Sequence, residues 1–328
     1  MLTRTTTVSG LAALTAVALA AVTACASSSS TTTASAPTTS TSSSPSASAT
    51  SSNPLAQGGG SGSIVVGSAN FPESELLAEV YVIALQNKGI KATAKLNIGT
   101  REAYYPEIEK GALTIFPEYN GTLLTVAVDK TSTAKTTAAV DAALAAKLPA
   151  SLEVLNPAPA QDSDSVTVTA ATAAKYHLKT IADLKAQAAN MVLGAPPEFK
   201  TRTDGIAGLK ATYGLNFKSF VPLDESGPVT LKALTSGRVQ AADVFTTTPQ
   251  ILTDHLVTLA DPKSNFAAQN VIPLVYKSGM NPAIIAVLNN VSAKLTTSAL
   301  LQMDTAVIVQ HSNYSTVAAA FLKAAGLS

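Results

Sequence analysis

The chain has 328 residues, with Lys+Arg 22 against Asp+Glu 21 and a formal charge of +1. That balance leaves no basic footprint for nucleic acid, and the single cysteine excludes a disulfide framework and any cysteine-based zinc site. His177, His255 and His311 are far apart and lack metal-binding spacing, so no metal or cofactor is expected. With 46% hydrophobic residues, 5% aromatics and no Trp, the core is built mainly from Ala, Val and Leu.

Arg4 precedes an apolar run from about Val8 to Val22, shorter than the roughly 20 residues of a membrane-spanning helix. It reads as the hydrophobic stretch of a secretory signal, residues 1–24. The run ends Val22-Thr23-Ala24-Cys25, a pattern that resembles a bacterial lipobox with Cys25 as the acylated N-terminus; an ordinary signal peptide with an incidental cysteine is the alternative. Residues 25–63 are almost entirely Ser, Thr, Ala, Pro and Gly without a charge, the composition of a disordered tether. Loss of residues 1–24 removes only Arg4 and leaves 21 basic and 21 acidic residues, so bulk charge does not dock the body.

The body starts at Ile64. Ile64-Val65-Val66-Gly67 reads as a buried parallel strand, and Ser74 to Gly89 as a helix with Leu76, Leu77, Val80, Ile83 and Ala84 on one face. Lys91 to Ile98 alternates as a second strand, Gly99-Thr100 opens a further helix, and Thr114-Ile115-Phe116 forms a third strand before Pro117. Strand and helix in alternation predict an α/β layer on a parallel sheet. A second unit begins near Asp162, with strands at Val166–Thr169, Met191–Gly194 and Ala241–Phe245. Its helices are predicted from Thr180 through Ala189, over Asp204–Tyr213 and over Thr230–Ser236. After Ile272–Val275 the chain is mostly helical and ends in Val317–Ala325; no repeat of fixed period is present.

Four stretches carry a resemblance: Gly67-Ser68-Ala69-Asn70-Phe71-Pro72-Glu73, Phe116-Pro117-Glu118-Tyr119-Asn120-Gly121-Thr122, Tyr176 to Leu184, and Glu198 to Gly205. In this order they resemble the substrate-binding proteins of glycine betaine/carnitine/choline importers of the ATP-binding-cassette type. The resemblance implies a two-lobed α/β fold of the periplasmic-binding-protein type (type II), with a hinge and an interlobe ligand cleft. Lobe one would be 64–161 plus 271–328, and lobe two 162–270. It also implies an extracytoplasmic, lipid-anchored receptor that delivers a small osmoprotectant-like ligand to permease subunits, with no catalytic residues.

Family members hold quaternary ammonium groups between tyrosine faces, which attract a cation that cannot hydrogen-bond. By resemblance, Tyr119 falls on a cage position with Thr122 beside it, and Ala69 and Asn70 belong to the first cleft motif. Asp164 stands where a tyrosine is usual, with Asp162 two residues before it; Phe245 replaces a second tyrosine and Gln269 the last. Two cage aromatics of four are thus expected. Arg202 matches the arginine that clamps the ligand's carboxylate, a task suited to its planar fork; the alternative is a surface ion pair with Asp204 or Glu198. Tyr104-Tyr105 is read as helix packing rather than cage. Competing functions are a ligand sensor without transport and an enzyme, although no GxSxG, P-loop or GxGxxG motif occurs.

Overall fold

The computed structural model describes residues 63–328. The signal segment, Cys25 and the tether lie outside the described residues. Ten strands form two five-stranded sheets. The first contains β1 (Ile64–Gly67), β2 (Ala92–Lys95), β3 (Ile115–Tyr119), β4 (Leu152–Val154) and β10 (Val271–Tyr276), in the order β2-β1-β3-β10-β4. The second contains β5 (Val166–Thr169), β6 (Val192–Ala195), β7 (Ser219–Pro222), β8 (Ala241–Asp243) and β9 (Leu256–Thr258), in the order β7-β6-β8-β5-β9. The chain therefore passes from the first sheet to the second after β4 and returns before β10.

The helices in chain order are α1 (Pro72–Gln86), α2 (Arg101–Glu109), α3 (Asn120–Thr122), α4 (Thr137–Lys147), α5 (Ala170–Tyr176) and α6 (Ile206–Tyr213). They continue with α7 (Pro228–Thr235), α8 (Gln250–Thr253), α9 (Pro282–Lys294), α10 (Thr297–Asp304) and α11 (Tyr314–Ala324). Pro72 occupies the first turn of α1, where its missing N–H costs nothing. Side chains of Thr136, Thr169, Asn281 and Thr296 cap the first turns of α4, α5, α9 and α10, taking backbone N–H groups that the helices leave unpaired. No single helix among the described residues is long and apolar enough to cross a membrane.

Both sheets are mixed: the parallel pairing expected of the first three strands is present, and antiparallel strands join it. β1 pairs parallel with β2 and β3, but β10 runs antiparallel between β3 and β4, and β5 runs antiparallel between β8 and β9. These reversals follow from the two crossings, because a strand that returns from the other sheet enters from the opposite end. Pro117 lies inside β3 rather than after it and faces Pro273 of β10. The antiparallel ladder accommodates this pair because alternate partners exchange no hydrogen bonds.

Other departures have local causes. β2 stops at Lys95 because Asn97 and Gly99 turn at positive φ, and the Ile98 amide returns to the Ser68 carbonyl. The segment expected to be helical from Thr180 forms 3₁₀ turns at Ile181–Ala186 and Ala188–Asn190, started by a capping box between Thr180 and Asp183. β8 ends at Asp243, and the Phe245 amide turns to the Ser226 hydroxyl.

Two main cores hold the sheets. Leu76, Leu77, Tyr81 and Leu85 of α1 pack with Val66, Ile115, Leu288 and Leu322 in the first. Val168, Ile181, Leu184, Leu193 and Leu209 fill the second. Fully burying one such aliphatic side chain contributes about 1.5–3 kcal/mol, so each sheet has its own apolar anchor, and the groups between the sheets are free to be polar.

Candidate functional site

Glu118 organises one wall of the space between the sheets. It lies in β3, every residue of which is buried, and it is itself 0% exposed. The guanidinium of Arg101, the first residue of α2, donates to it from Nε at 2.9 Å and from Nη2 at 2.8 Å. The Tyr104 hydroxyl donates to Oε1 at 2.7 Å and the Tyr119 amide to Oε2 at 2.9 Å. Tyr104 also stacks on Phe116, with ring centroids 3.7 Å apart. A carboxylate served by four donors fixes both Arg101 and Tyr104.

Tyr119, the last residue of β3, donates its hydroxyl to Glu73 in the first turn of α1. The other Glu73 oxygen accepts from the Thr247 hydroxyl at 2.6 Å, a contact with the second sheet's side. Burial raises the Glu73 pKa against the opposing effect of these bonds. Asp304, at the end of α10, is raised well above the usual carboxylate range by burial and by the Glu73 charge.

The two crossings meet beside this wall. The Asp162 amide donates to the Gln269 carbonyl at 3.1 Å, and Gln161 bridges Asn270. Asp162 Oδ1 accepts from the Thr247 amide and the Thr246 hydroxyl, each at 3.1 Å. Gln269 accepts the Thr122 amide at 3.0 Å and donates to the Thr122 hydroxyl. The helix that starts at Asn120 is pressed onto the second crossing: a Cβ on Gly121 would lie 2.3 Å from the Ala268 carbonyl oxygen.

The opposite wall carries Arg202, Glu225, Phe245 and Asp164. Arg202 reaches across to α2, donating from Nε and Nη2 to Glu102 at 3.3 Å each, with Glu198 at 3.9 Å. Its side chain is 10% exposed, and of the two ion-pair partners considered from sequence Glu198 is within 3.9 Å while no pair with Asp204 forms. Burial and the nearby Arg101 oppose its charge, yet Asp164 and Glu102 hold its pKa above the ordinary value. Asn70, with its amide nitrogen toward the acceptors, donates to Glu225 and to the Gly99 carbonyl at 3.1 Å each. Phe71 meets Phe245 edge-on at 5.2 Å and Tyr119 at 6.1 Å, so rings from both lobes adjoin.

A cavity of ≈ 40 Å³ lies between these walls. Of the residues expected from sequence, Ala69, Tyr119, Thr122, Asp162, Asp164, Arg202, Phe245 and Gln269 line it. Asn70 does not; it stands behind the wall as a support for Glu225. Phe71, Arg101, Tyr104 and Glu225 complete the lining and were not expected there. Four rings line the cavity: Phe71, given no role from sequence, and Tyr104, read as helix packing, join Tyr119 and Phe245. Tyr105 is buried in the core beside Ile108 and Leu113. His177, His255 and His311 sit at left-handed turn positions and none lines the cavity. Among the described residues no group of three or more metal-ligating side chains is arranged for a metal.

Acid dominates the electrostatics. Burial, then the charge of Asp204, pushes Asp164 up to about 6. Burial, then the adjacent Glu198 carboxyl, pushes Glu225 up to about 8. Asp162 and Asp243 are raised well above the usual range, by burial and by Glu73 and Asp164 respectively. The three carboxyls of the lining thus outnumber its two guanidiniums, and burial and like charge disfavour their ionisation.

Two α/β lobes joined by paired crossings, with a small polar and aromatic cavity between them, define a solute-binding protein of the cleft type. Residues 62–324 match the OpuAC family, described as the substrate binding domain of ABC-type glycine betaine transport system, and the chain belongs to that family. It is accordingly the extracytoplasmic substrate-binding component of an importer, working with permease components. It is 29% identical over 277 residues to the glycine betaine-binding protein YehZ of Escherichia coli (strain K12), covering 80% of this chain and 90% of that one. It is 28% identical over 165 residues to the ergothioneine transport permease/ergothioneine binding protein EgtU of Helicobacter pylori (strain G27), covering 50% of this chain and 30% of that one. Among solved structures, apo YehZ from Escherichia coli aligns with a TM-score of 0.58 at 26% identity, covering 81% of this chain and 99% of that one. A glycine betaine/carnitine/choline ABC transporter structure aligns with a TM-score of 0.64 at 22% identity, covering 80% and 99%, which speaks to the fold.

Proposed function

We propose that this binding protein takes a compact ligand with a carboxylate and a cationic nitrogen, of the betaine and carnitine class or a more polar relative. It would pass that ligand unchanged to the permease. The observation that carries this reading is the cavity itself, where two buried guanidiniums, three carboxyls and four aromatic rings share one small space. Arg202 and Arg101 suit a ligand carboxylate, because a guanidinium donates two parallel bonds to that group. Phe71, Tyr119 and Phe245 offer faces to a cationic end. Lobe one would comprise 64–161 with 271–328, and lobe two 162–270, so that Arg202 and Tyr119 stand on opposite lobes and a bridging ligand favours closure. The cavity carboxyls are engaged by hydroxyls, amides or one another, an arrangement suited to binding rather than turnover. Cys25 would carry the lipid that holds the protein at the outer face of the membrane, and Cys25→Ser should then release it from the membrane fraction.

The test is a thermal-shift screen over betaines, carnitine, choline, ergothioneine, amino acids and polyols. A ligand at a hundred times its dissociation constant stabilises the fold by about 2.7 kcal/mol. A protein stabilised only by ligands without a carboxylate, or by none, would sink this reading.

A further inference from the structure

The three cavity carboxylates are not equivalent. Asp162 is served by Thr246 and Thr247, and Glu225 by Asn70. Asp164 accepts no hydrogen bond at its side chain from an N–H or hydroxyl of the described residues, and its ion pairs with Arg101 and Arg202 are not formed: those cations are held by Glu118 and Glu102. Yet Asp164 lines the cavity together with both arginines.

Its one close acidic neighbour on the sheet is Asp243. Val166 of β5 pairs with Asp243 of β8, and Asp164 precedes Val166 by two residues, which puts Asp164 and Asp243 on the same face. Asp243 is 1% exposed and both its oxygens lack a donor. Two buried carboxyls so placed cannot both ionise without a counter-charge, and they keep a proton between them. The other charges facing Asp164 are Asp204 on the acidic side and Arg202 and Arg101 on the basic side.

We propose that Asp164 is the specificity-determining acceptor for an N–H-bearing cationic group of the ligand. The cavity then prefers a protonated amine with at least one N–H to a fully methylated ammonium on the same carboxylate frame. This rests on the reading of the cavity as a carboxylate-and-cation site. Asp164 accepts the shared proton of Asp243 but keeps further lone pairs that face no donor, and a charge-assisted N–H bond serves them. A quaternary ammonium places methyl groups against that acceptor and leaves it unserved. The ligand's cation supplies the counter-charge that lets Asp164 ionise while Asp243 keeps the shared proton, so a proton leaves to solvent on binding only where Asp164 holds one of its own, below about pH 6.

Titration calorimetry of the full chain with glycine betaine, N,N-dimethylglycine and sarcosine tests this, since the three differ only in N-methylation. Measurement in two buffers of different ionisation enthalpy counts the proton. Dimethylglycine should bind about tenfold or more tightly than glycine betaine, the fold-change of one charge-assisted hydrogen bond, with net proton release below pH 6. Asp164→Asn, which keeps one acceptor oxygen and removes the charge, should narrow the difference between the two ligands. Glycine betaine binding as tightly as dimethylglycine to the unaltered protein overturns the proposal, whether or not the variant folds. A preference for the N–H ligand that is undiminished in a folded Asp164→Asn protein overturns it as well. Absence of binding by all three compounds counts against the carboxylate-and-cation cavity itself, and so against both readings.

Discussion

Glu118→Gln is the substitution whose cost the structure specifies most closely. Glu118 is fully buried, holds Arg101 through a two-pronged ion pair, and accepts from the Tyr104 hydroxyl and the Tyr119 amide. Gln keeps the shape and one acceptor oxygen, but it removes the charge opposite Arg101 and puts an NH₂ where a donor already points. Breaking a buried pair by removing one partner costs about 3–5 kcal/mol, because the remaining charge is left buried without compensation. For a folded part of this size, 1 kcal/mol moves the melting temperature by roughly 2–4 °C, so a fall of about 6–20 °C is expected. Chemical unfolding of Glu118→Gln, Arg101→Met and the double variant separates the pair from its surroundings, and the double variant should be less destabilised than the sum of the singles. Arg101 also loses its orientation toward the cavity, so ligand affinity should fall with stability. A Glu118→Gln protein melting within about 2 °C of the parent would refute the view that this carboxylate holds the wall together.

Arg202→Ala should weaken a carboxylate ligand by about 2–5 kcal/mol, read by calorimetry, and a neutral ligand of the same size by much less. Gly121→Ala should lower the melting temperature and the affinity together, because the added Cβ meets the Ala268 carbonyl oxygen at 2.3 Å; an unchanged melting curve would mean that the crossing yields freely. Glu225, held up to about 8, binds its proton more tightly in the folded than in the unfolded protein. Its contribution to stability is present below about pH 4.5 and is lost as pH rises through 8. The ligand-free protein should therefore melt lower at pH 8.5 than at pH 5, and Glu225→Gln should flatten part of that slope. Asp164, pushed up to about 6, ionises above that pH, so affinity for a cationic ligand should fall as pH drops below 6 and be flat in Asp164→Asn.

Much of the architecture was legible because it is local. The β-branched run at Ile64, the apolar stripe of Leu76, Leu77 and Val80, and the capping signals set their elements without help from distant residues. The direction of β10 was not legible, since strand polarity depends on where a returning chain enters the sheet. Within the cavity, Tyr119, Thr122 and Arg202 lie in contiguous motifs and were visible for that reason. Arg101 went unread and Tyr104 was read as packing because their significance lies in Glu118, which sits on a different element. Glu225 lies in a short loop before α7 and has no pattern around it; only its burial and the reach of Asn70 mark it. Phe71 stood in a recognised motif, but nothing in its neighbours says that it faces Phe245.

The adjoining crossings at Asp162 and Gln269 have a mechanical consequence. Both residues line the cavity, and both belong to the two segments through which the described chain passes between the sheets. A torsion change that swings one lobe away therefore moves two walls of the pocket at their roots, whereas a contact on a distant loop would merely be carried along. Occupancy and bend angle are then readings of a single coordinate. A substitution at Asp162 or Gln269 should alter how far the protein opens and how tightly it holds its cargo in the same stroke.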